Sequence, residues 1–126
     1  ISNKVHFLGM LNRPELLKYY AECDIFVLPT RQDCFALVIL EAMCSGLPIV
    51  CSKYAEGACD MIEERKNGFV IDPYNEGEFS GCMNQLLLNA ELRTDMQKQS
   101  DDIIEKFRFK NVARGYLAAI EEGLKG

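Results

Sequence analysis

The amino-acid sequence predicts an α/β fold, in which a three-layer arrangement places about four parallel strands between flanking helices. Apolar runs of strand length begin near Val5, Ile25, Ile49 and Phe69. Between these runs the apolar residues recur at helical spacing, and glycine or proline marks most of the boundaries. Strands that alternate with helices form a parallel sheet, because each helical crossover returns the chain to the same end of the sheet.

The first predicted strand covers residues 5–8 and is closed by Gly9. A helix should follow at once, since Asn12 or Arg13 can cap it and Pro14 suits its first turn. The apolar residues of this helix fall at helical spacing and are expected to pack on the sheet: Leu16, Leu17, Tyr20 and Ala21.

Residues 24–52 form the segment around which the rest of the chain is organised. A short apolar run at 25–28 predicts a strand buried on both faces, and a polar loop follows at 30–33. Residues 35–44 are apolar enough for a buried helix, which a glycine and a proline end before the next strand at 49–51. In such α/β units ligands bind outside the carboxyl ends of the strands, where the helices begin.

Two acidic residues in this segment predict a ligand site. Glu41 is the only charged residue within the predicted helix, and a buried carboxylate without partners is costly. We therefore expect Glu41 to have hydrogen-bond donors or to reach a cleft. Asp33 lies eight positions earlier, at the entrance of the helix, where backbone N–H groups also converge. Two carboxylates and a helix N-terminus facing one crevice suit a ligand that carries both hydroxyl groups and phosphate.

The remainder of the chain predicts one more strand and four more helices. Residues 58–64 should form a short helix, and 69–71 the last strand after a turn. Three helices are expected to follow, at 76–89, 91–107 and 109–123. The last of these helices carries apolar residues at a spacing typical of core packing: Val112, Tyr116, Ala119 and Ile120.

Composition and charge restrict the classes of function. The 126 residues suffice for a single partial domain, 1–126, whose helical C-terminal portion covers about 76–126. The net charge of −5 argues against a nucleic-acid-binding face, because phosphate backbones are held by clustered Lys and Arg. No apolar run approaches membrane-spanning length, so no transmembrane segment is predicted.

The six cysteines could indicate disulfides or a metal site. None is spaced as C-x-x-C, His6 is the only histidine, and most of the cysteines lie within predicted strands or helices. We therefore expect buried free thiols and no bound metal. Free thiols in turn predict a reducing, cytoplasmic compartment.

The segment at 24–52 resembles the donor-binding motif of the GT-B glycosyltransferases of group 1, also called family 4. In that motif two glutamates are separated by seven residues, and a Gly-x-Pro turn follows the helix that carries the second. Asp33 stands at the first acidic position, where a glutamate is usual, and Glu41 stands at the second. Ala36 replaces the usual glycine, and its methyl group narrows the approach of a ligand to the loop. The other matching positions are in register: Pro29, Thr30, Phe35, Leu37, Leu40, Ala42, Ser45, Gly46 and Pro48.

This resemblance implies the donor-binding part of a retaining glycosyltransferase. The chain would be the later part of a GT-B C-terminal domain, with a Rossmann-like sheet. Such an enzyme transfers a sugar from a nucleotide-diphosphate sugar to an acceptor hydroxyl, as in glycan or polysaccharide biosynthesis. The resemblance implies no metal and no cofactor, because a helix dipole and basic side chains balance the charge of the diphosphate.

Individual roles also follow from the resemblance. Asp33 would contact the transferred sugar and stabilise positive charge at its anomeric carbon. Glu41 would accept hydrogen bonds from the ribose hydroxyls. The remaining donor-binding positions are the backbone N–H groups around Ala36, Leu37 and Val38, which would hold phosphate oxygens, together with Thr30, Phe35, Met10, Leu11 and Gly57.

Alternatives remain open at several of these positions. Asp33 can instead be a helix N-cap, and Glu41 can be an internally satisfied core carboxylate. Met10 and Leu11 can pack in the core rather than contact the nucleotide base. Gly57 can be a turn glycine without a ligand.

The resemblance places other parts of the enzyme outside this chain. A glycan or lipid acceptor would be bound by an N-terminal domain, and the first strands of the donor domain would bring an Arg and a Lys to the diphosphate. We therefore expect this chain to be inactive by itself. Its exposed sheet edge can pair with another copy as a homo-oligomer. The whole protein is expected in the cytoplasm or peripherally at the inner face of the membrane.

Two other functions fit the same residues. A non-catalytic nucleotide-sugar-binding or assembly module would keep the fold with a decayed ligand site, which the residues at Asp33 and Ala36 favour. Another GT-B enzyme, such as a nucleotide-sugar epimerase, would release an altered sugar without an acceptor.

Overall fold

The computed structural model describes residues 2–125, and that range contains one parallel sheet of three strands. The strands are β1 (Phe26–Leu28), β2 (Ile49–Ser52) and β3 (Gly68–Ile71), in the spatial order β1-β2-β3. Phe26 lies opposite Ile49, and β2 pairs with β3 along its whole length. The predicted α/β class, with a parallel sheet flanked by helices, is confirmed.

The predicted first strand at residues 5–8 does not form. These residues have no regular secondary structure, and Val5 and Phe7 are 49% and 96% exposed. β1 is the edge of the sheet, and no segment within 2–125 pairs with its outer side. An apolar run becomes a strand only where a neighbouring strand satisfies its N–H and C=O groups. The expectation of four strands is therefore wrong for the described chain.

The described chain contains six α-helices: α1 (Arg13–Glu22), α2 (Val38–Cys44), α3 (Ala58–Met61), α4 (Glu76–Leu88), α5 (Ala90–Ile104) and α6 (Phe109–Gly123). Of the two predicted cap residues of α1, Asn12 is the cap, and Arg13 is the first helical residue. The Asn12 side chain accepts the N–H of Glu15, and the Glu15 carboxylate accepts the N–H of Asn12, both at 3.0 Å. This reciprocal capping box stabilises the start of the helix.

The other helices and strands form close to their predicted bounds. β2, β3 and α4 differ from prediction by a single residue at one end. α5 ends earlier than predicted because a 3-10 turn, Glu105–Phe107, completes it. α3 ends three residues early. No helix within 2–125 is both long enough and apolar enough to cross a membrane.

The predicted helix at 35–44 begins three residues late, at Val38. Ala36 has φ +50°, in the left-handed region that costs an L-residue about 1–2 kcal/mol. Residues 35–37 therefore form a turn instead of a first helical turn. The glycine usual in the resembling motif would enter this conformation without that cost.

Side chains of the sheet alternate between two apolar clusters. Ile49 of β2 faces the cluster that Ile39 of α2 shares. Val50 faces the opposite cluster, with Leu86 of α4 and Met96 of α5. Neighbouring residues of a strand point to opposite faces, so both faces of β2 are covered. Burial on both faces leaves the loops at the strand ends as the accessible parts of the sheet.

Helix α6 forms over the predicted range, but its apolar face stays exposed. None of its side chains is buried, and Tyr116 and Ile120 are 70% and 58% exposed. The expectation that Val112, Tyr116, Ala119 and Ile120 pack in the core is wrong. Helical periodicity shows that one face is apolar, but it does not show what covers that face.

All six cysteines are free, yet most of them are not buried. Cys51 is buried and Cys82 is half-buried. The other four cysteines are exposed: Cys23, Cys34, Cys44 and Cys59. The expectation of buried thiols therefore holds for Cys51 and is wrong for the exposed four. Burial raises the pKa of Cys51 to about 12, which keeps it a neutral thiol at pH 7.

Candidate functional site

The loop that joins β1 to α2 is shaped by the carboxylate of Asp33. Its Oδ1 accepts the N–H of Phe35 at 3.0 Å and the N–H of Ala36 at 2.6 Å. These bonds satisfy donors of the turn that precedes α2, so Asp33 has a capping role. Its second oxygen, Oδ2, accepts no hydrogen bond from residues 2–125. One oxygen of Asp33 is therefore structural, and the other is free for a ligand.

The same loop is joined to the loop after β2. The N–H of Asp33 donates to the Tyr54 carbonyl at 3.0 Å, and the N–H of Glu56 donates to the Asp33 carbonyl at 2.9 Å. Gly57 completes the contact, since a Cβ there would overlap the carbonyl oxygen of Phe35. This close approach is a structural reason for a glycine at 57. Contact of Gly57 with a donor sugar stays a prediction.

Thr30 gives the first part of the loop its shape. Its hydroxyl donates to the Gln32 carbonyl at 2.9 Å and accepts the Gln32 N–H at 3.3 Å. Farther along the loop, Phe35 and Leu37 are both exposed. Their side chains are therefore accessible to a ligand at this edge of the sheet.

The backbone N–H groups at the start of α2 fall into two sets. The N–H of Ala36 donates to Asp33 and is not free for a phosphate, contrary to expectation. The N–H groups of Leu37 and Val38 have no acceptor within residues 2–125. Phosphate binding stays a prediction for Leu37 and Val38.

Glu41 lies on an exposed side of α2, although its sequence neighbours predicted burial. Its Oε2 accepts the hydroxyl of Tyr20 at 3.4 Å, which is a long hydrogen bond. Burial of the ring, together with the charge and hydrogen bond of Glu41, raises the pKa of Tyr20 above 10.0. Tyr20 is therefore a neutral donor at pH 7. Glu41 is not an internally satisfied core carboxylate.

A cleft of about 220 Å³ lies between α1 and α2 at Glu41. It is smaller than the roughly 300 Å³ at which pockets for whole ligands begin, so it suits one part of a larger ligand. Asp33 does not line this cleft, so the two acids do not share it as expected. The lining residues are Arg13, Leu16, Leu17, Tyr20, Glu41, Cys44 and Ser45.

Met10 and Leu11 lie in the segment that precedes α1. Met10 is fully exposed, which excludes core packing for its side chain. Leu11 is half-buried and lines a shallow cleft with Glu15 and Tyr19 of α1. Contact of either residue with a nucleotide base stays a prediction.

Another cavity, of about 370 Å³, lies at the opposite end of the strands. It is lined by Asp24, which precedes β1, and by Pro48, which precedes β2. Arg93 of α5 pairs with Asp24 at 3.6 Å and donates to the Leu86 carbonyl at 2.7 Å. Parallel α/β sheets bind ligands at the carboxyl ends of their strands, so we assign these contacts to the fold.

Comparison with known proteins identifies the family. Residues 1–102 match the family described as Glycosyl transferases group 1. The chain belongs to the group 1 glycosyltransferases. The expected membership in this family is thereby confirmed, and the chain corresponds to a GT-B C-terminal domain.

Relatives of this glycosyltransferase chain carry different names. It is 36% identical over 107 residues to a sulfoquinovosyl transferase of Arabidopsis thaliana, a match that covers 82% of this chain and 21% of that protein. It is 32% identical over 121 residues to spore coat protein SA of Bacillus subtilis, covering 94% of this chain and 32% of that protein. The chain spans a third or less of the length of the curated relatives it matches.

Solved glycosyltransferase structures share the fold of this chain. HepE of Anabaena, solved in complex with UDP, is 28% identical to this chain with a TM-score of 0.75. The match covers 97% of this chain and 33% of the HepE chain. TarM is 26% identical with a TM-score of 0.81, and the match covers 94% of this chain and 24% of the TarM chain. Both likenesses extend over nearly all of the glycosyltransferase chain.

Sequence reasoning missed several residues at the edges of the site. The spacing of Tyr20 predicts a core residue, yet its hydroxyl reaches Glu41, 21 positions away. Tyr54 and Tyr74 follow β2 and β3 and form an aromatic pair. The signal that could have found this pair is position, because residues directly after parallel strands lie at the ligand-binding edge.

Proposed function

We propose that this chain is the donor-binding part of a retaining glycosyltransferase, which moves a sugar from a nucleotide-diphosphate sugar to an acceptor hydroxyl. The observation that carries the proposal is the exposed carboxylate of Glu41 in the cleft between α1 and α2. The only hydrogen bond that this carboxylate makes within 2–125 is the one from Tyr20, at 3.4 Å. Both carboxylate oxygens can therefore accept hydrogen bonds from the hydroxyls of a ribose.

The geometry of Asp33 supports a role toward the transferred sugar. Two backbone N–H groups hold Oδ1, which fixes the orientation of the free Oδ2. A carboxylate held in this way can stabilise positive charge at an anomeric carbon without first reorganising. The Leu37 and Val38 N–H groups would meet the phosphates, beside Thr30 and Phe35.

Two relatives support a nucleotide diphosphate as the ligand. HepE of Anabaena was solved in complex with UDP, and so was a TarM variant of S. aureus. Both are more than 25% identical to this chain. The donor itself is the substrate, and we propose no metal or cofactor.

The rest of the reaction would depend on parts of the whole protein outside this chain. A glycan, lipid or other acceptor would be bound there, in glycan or polysaccharide biosynthesis. The six free cysteines support a cytoplasmic location for this chain, because an oxidising compartment favours disulfides. The exposed edge of β1 is a surface through which two copies could associate.

Calorimetric titration of the whole protein with UDP-, GDP- and ADP-sugars tests the proposal. We expect the sugar of one nucleotide to bind. Glu41→Ala should lower the affinity for that nucleotide sugar about 10- to 100-fold, because hydrogen bonds to a charged group are lost. The matched control is Glu121→Ala, which removes an exposed carboxylate from α6. Unchanged binding after Glu41→Ala, or no binding of any nucleotide sugar, would contradict the proposal.

A non-catalytic binding or assembly module is the second candidate. Asp33 Oδ1 accepts two backbone N–H groups of its own loop, so this atom stabilises the fold and does not face a ligand, which favours the module. The likeness to spore coat protein SA favours it as well. Nucleotide-sugar binding without turnover of any acceptor would support this candidate. Product analysis also separates a nucleotide-sugar epimerase, which would release an altered sugar without an acceptor.

A further inference from the structure

The loops after the three strands carry a second cluster, which we call the tyrosine platform. All of its residues lie at the carboxyl ends of parallel strands, the edge at which α/β folds bind ligands. One follows β1, two follow β2 and two follow β3. They are Arg31, Lys53, Tyr54, Asp72 and Tyr74.

Two tyrosine rings form the centre of the platform. The centroids of Tyr54 and Tyr74 are 6.0 Å apart, and the ring planes make an angle of 70°. This edge-to-face arrangement orders the pair, yet Tyr74 remains 63% exposed and Tyr54 37% exposed. Rings that served only to fill the core would be buried. An ordered and exposed aromatic pair offers the apolar face of a ring to a ligand.

Two cations flank these rings and differ in their charge balance. Lys53 Nζ is 5.2 Å from the Tyr54 centroid and 2.8 Å from Asp72 Oδ2, so an acid balances its charge. The Arg31 guanidinium is 5.7 Å from the Tyr74 centroid and forms no ion pair with residues 2–125. What sets Arg31 apart is its place beside exposed rings at the carboxyl ends of the strands, where its guanidinium can pair with an anionic group on a ligand.

The platform adjoins the candidate donor site but lies toward the other edge of the sheet. Tyr54 accepts the backbone N–H of Asp33 at 3.0 Å, which places its loop beside the predicted transferred sugar. Tyr20, which marks the Glu41 cleft, packs on Phe26 of β1 at 5.8 Å between ring centroids. Tyr74 follows β3, at the opposite edge. Asp33 is therefore hydrogen-bonded to a loop of the platform, and it lies in the segment between β1 and α2, the helix that carries Glu41.

We propose that the tyrosine platform is one acceptor subsite, which binds a single sugar ring that carries an anionic substituent. The rest of the acceptor would be bound by the parts of the whole protein outside this chain. The inference rests on the proposed transferase function, because only a transferase needs an acceptor beside Asp33. The exposed Tyr74 ring stacks on the apolar C–H face of the sugar, and the phenolic hydroxyls bond to its hydroxyl groups. Arg31 pairs with the anionic group.

Calorimetric titration of the whole protein with glucose 6-phosphate tests this subsite. Glucose and inorganic phosphate are the comparison probes, and both should bind more weakly than glucose 6-phosphate. Tyr74→Ala should lower the affinity for glucose 6-phosphate about 5- to 10-fold, because one stacked ring is lost. Tyr74→Phe keeps the ring and loses only the hydroxyl, so it should weaken binding by about 2- to 3-fold, less than Tyr74→Ala. Tyr116→Ala, an exposed tyrosine of α6, is the matched control and should have no effect.

The anionic part of the inference has its own variant. Arg31→Gln should remove the preference for glucose 6-phosphate over glucose and leave the affinity for glucose unchanged. Arg114→Gln, at an exposed arginine of α6, is the control and should keep the preference. Because Arg31 is exposed, its replacement should leave the thermal unfolding midpoint unchanged, so the result does not depend on the folding of the Tyr74 variants.

Three results would overturn the inference. Inorganic phosphate that binds as tightly as glucose 6-phosphate would show an anion site without a sugar. Unchanged affinity after both Tyr74→Ala and Arg31→Gln would show that the platform is not the binding surface. Displacement of glucose 6-phosphate by UDP would assign the platform to the donor. Nucleotide-sugar binding and its loss in Glu41→Ala are measured separately, so the platform can fail while the proposed function stands.

Discussion

The two acidic residues of the motif lie in regions that are built in opposite ways. Asp33 takes part in two hydrogen bonds through its carboxylate and two through its backbone, and Gly57 packs beside its loop. The carboxylate of Glu41 is exposed on α2 and accepts a single long hydrogen bond within residues 2–125, from Tyr20. One acid is thus part of the fold, whereas the other is available to a ligand. Substitutions in the two regions should therefore differ in their effect on stability.

The largest loss of stability is expected from Gly57→Ala, in the first region. The added Cβ overlaps the Phe35 carbonyl, so backbone must move, and overpacking of this kind costs about 2–3 kcal/mol. Chemical denaturation measures the change in the free energy of unfolding. Gly81→Ala is the control, since a Cβ at Gly81 of α4 meets no atom within 4 Å and alanine favours a helix. Equal effects of the two substitutions would mean that the loops are not in close contact.

A smaller loss is expected from Asp33→Ala. The N–H groups of Phe35 and Ala36 lose their acceptor, which costs about 1–2 kcal/mol, as at a helix cap. Asp33→Asn keeps the acceptor oxygen and should cost less than about 0.5 kcal/mol. Denaturation of both variants distinguishes the hydrogen bonds from the charge. If Asp33→Asn were as destabilising as Asp33→Ala, the negative charge rather than the acceptor would hold the loop.

Ala36→Gly should have a small effect of the opposite sign. Release of the left-handed strain gives about 1–2 kcal/mol and the usual cost of glycine is about 1 kcal/mol, so we expect a gain of up to about 1 kcal/mol. Thermal unfolding followed by circular dichroism measures the difference. Ala118→Gly, in the exposed part of α6, should instead destabilise. A loss at Ala36 as large as that at Ala118 would argue against a strained loop.

Glu41→Gln should have the smallest effect on stability, below about 0.5 kcal/mol, because the side chain is exposed. The substitution should lower the pKa of Tyr20 toward 10.0, since it removes a negative neighbour. The raised pKa of Tyr20 contributes stability that is complete below pH 10.0 and is lost as the pH rises through the folded-state pKa. Titration of the Tyr20 ring resonance by NMR, in both proteins, measures the shift. An unchanged pKa would mean that Glu41 and Tyr20 are not in contact.

Much of the fold was predictable because it depends on short-range patterns. The capping box at Asn12, the order of strand, loop and helix in residues 24–52, and the range of α6 follow from neighbours a few positions apart. The strand predicted at 5–8 does not form, and local sequence could not show this, because a strand depends on its pairing with another strand. The exposure of α6 was missed for a similar reason, since amphipathic spacing does not name a partner surface.

For the site, the sequence by itself determined which residues are the candidates: Asp33 and Glu41 in the spacing of the family motif, after a predicted strand. Only the tertiary structure decided how each one is used. It brought Tyr20 to Glu41 across 21 positions, and it joined the Asp33 loop to the loop of Tyr54 and Gly57. The physical reason is that hydrogen bonds and close contacts form between groups that meet in space, and local spacing along a chain does not specify those meetings.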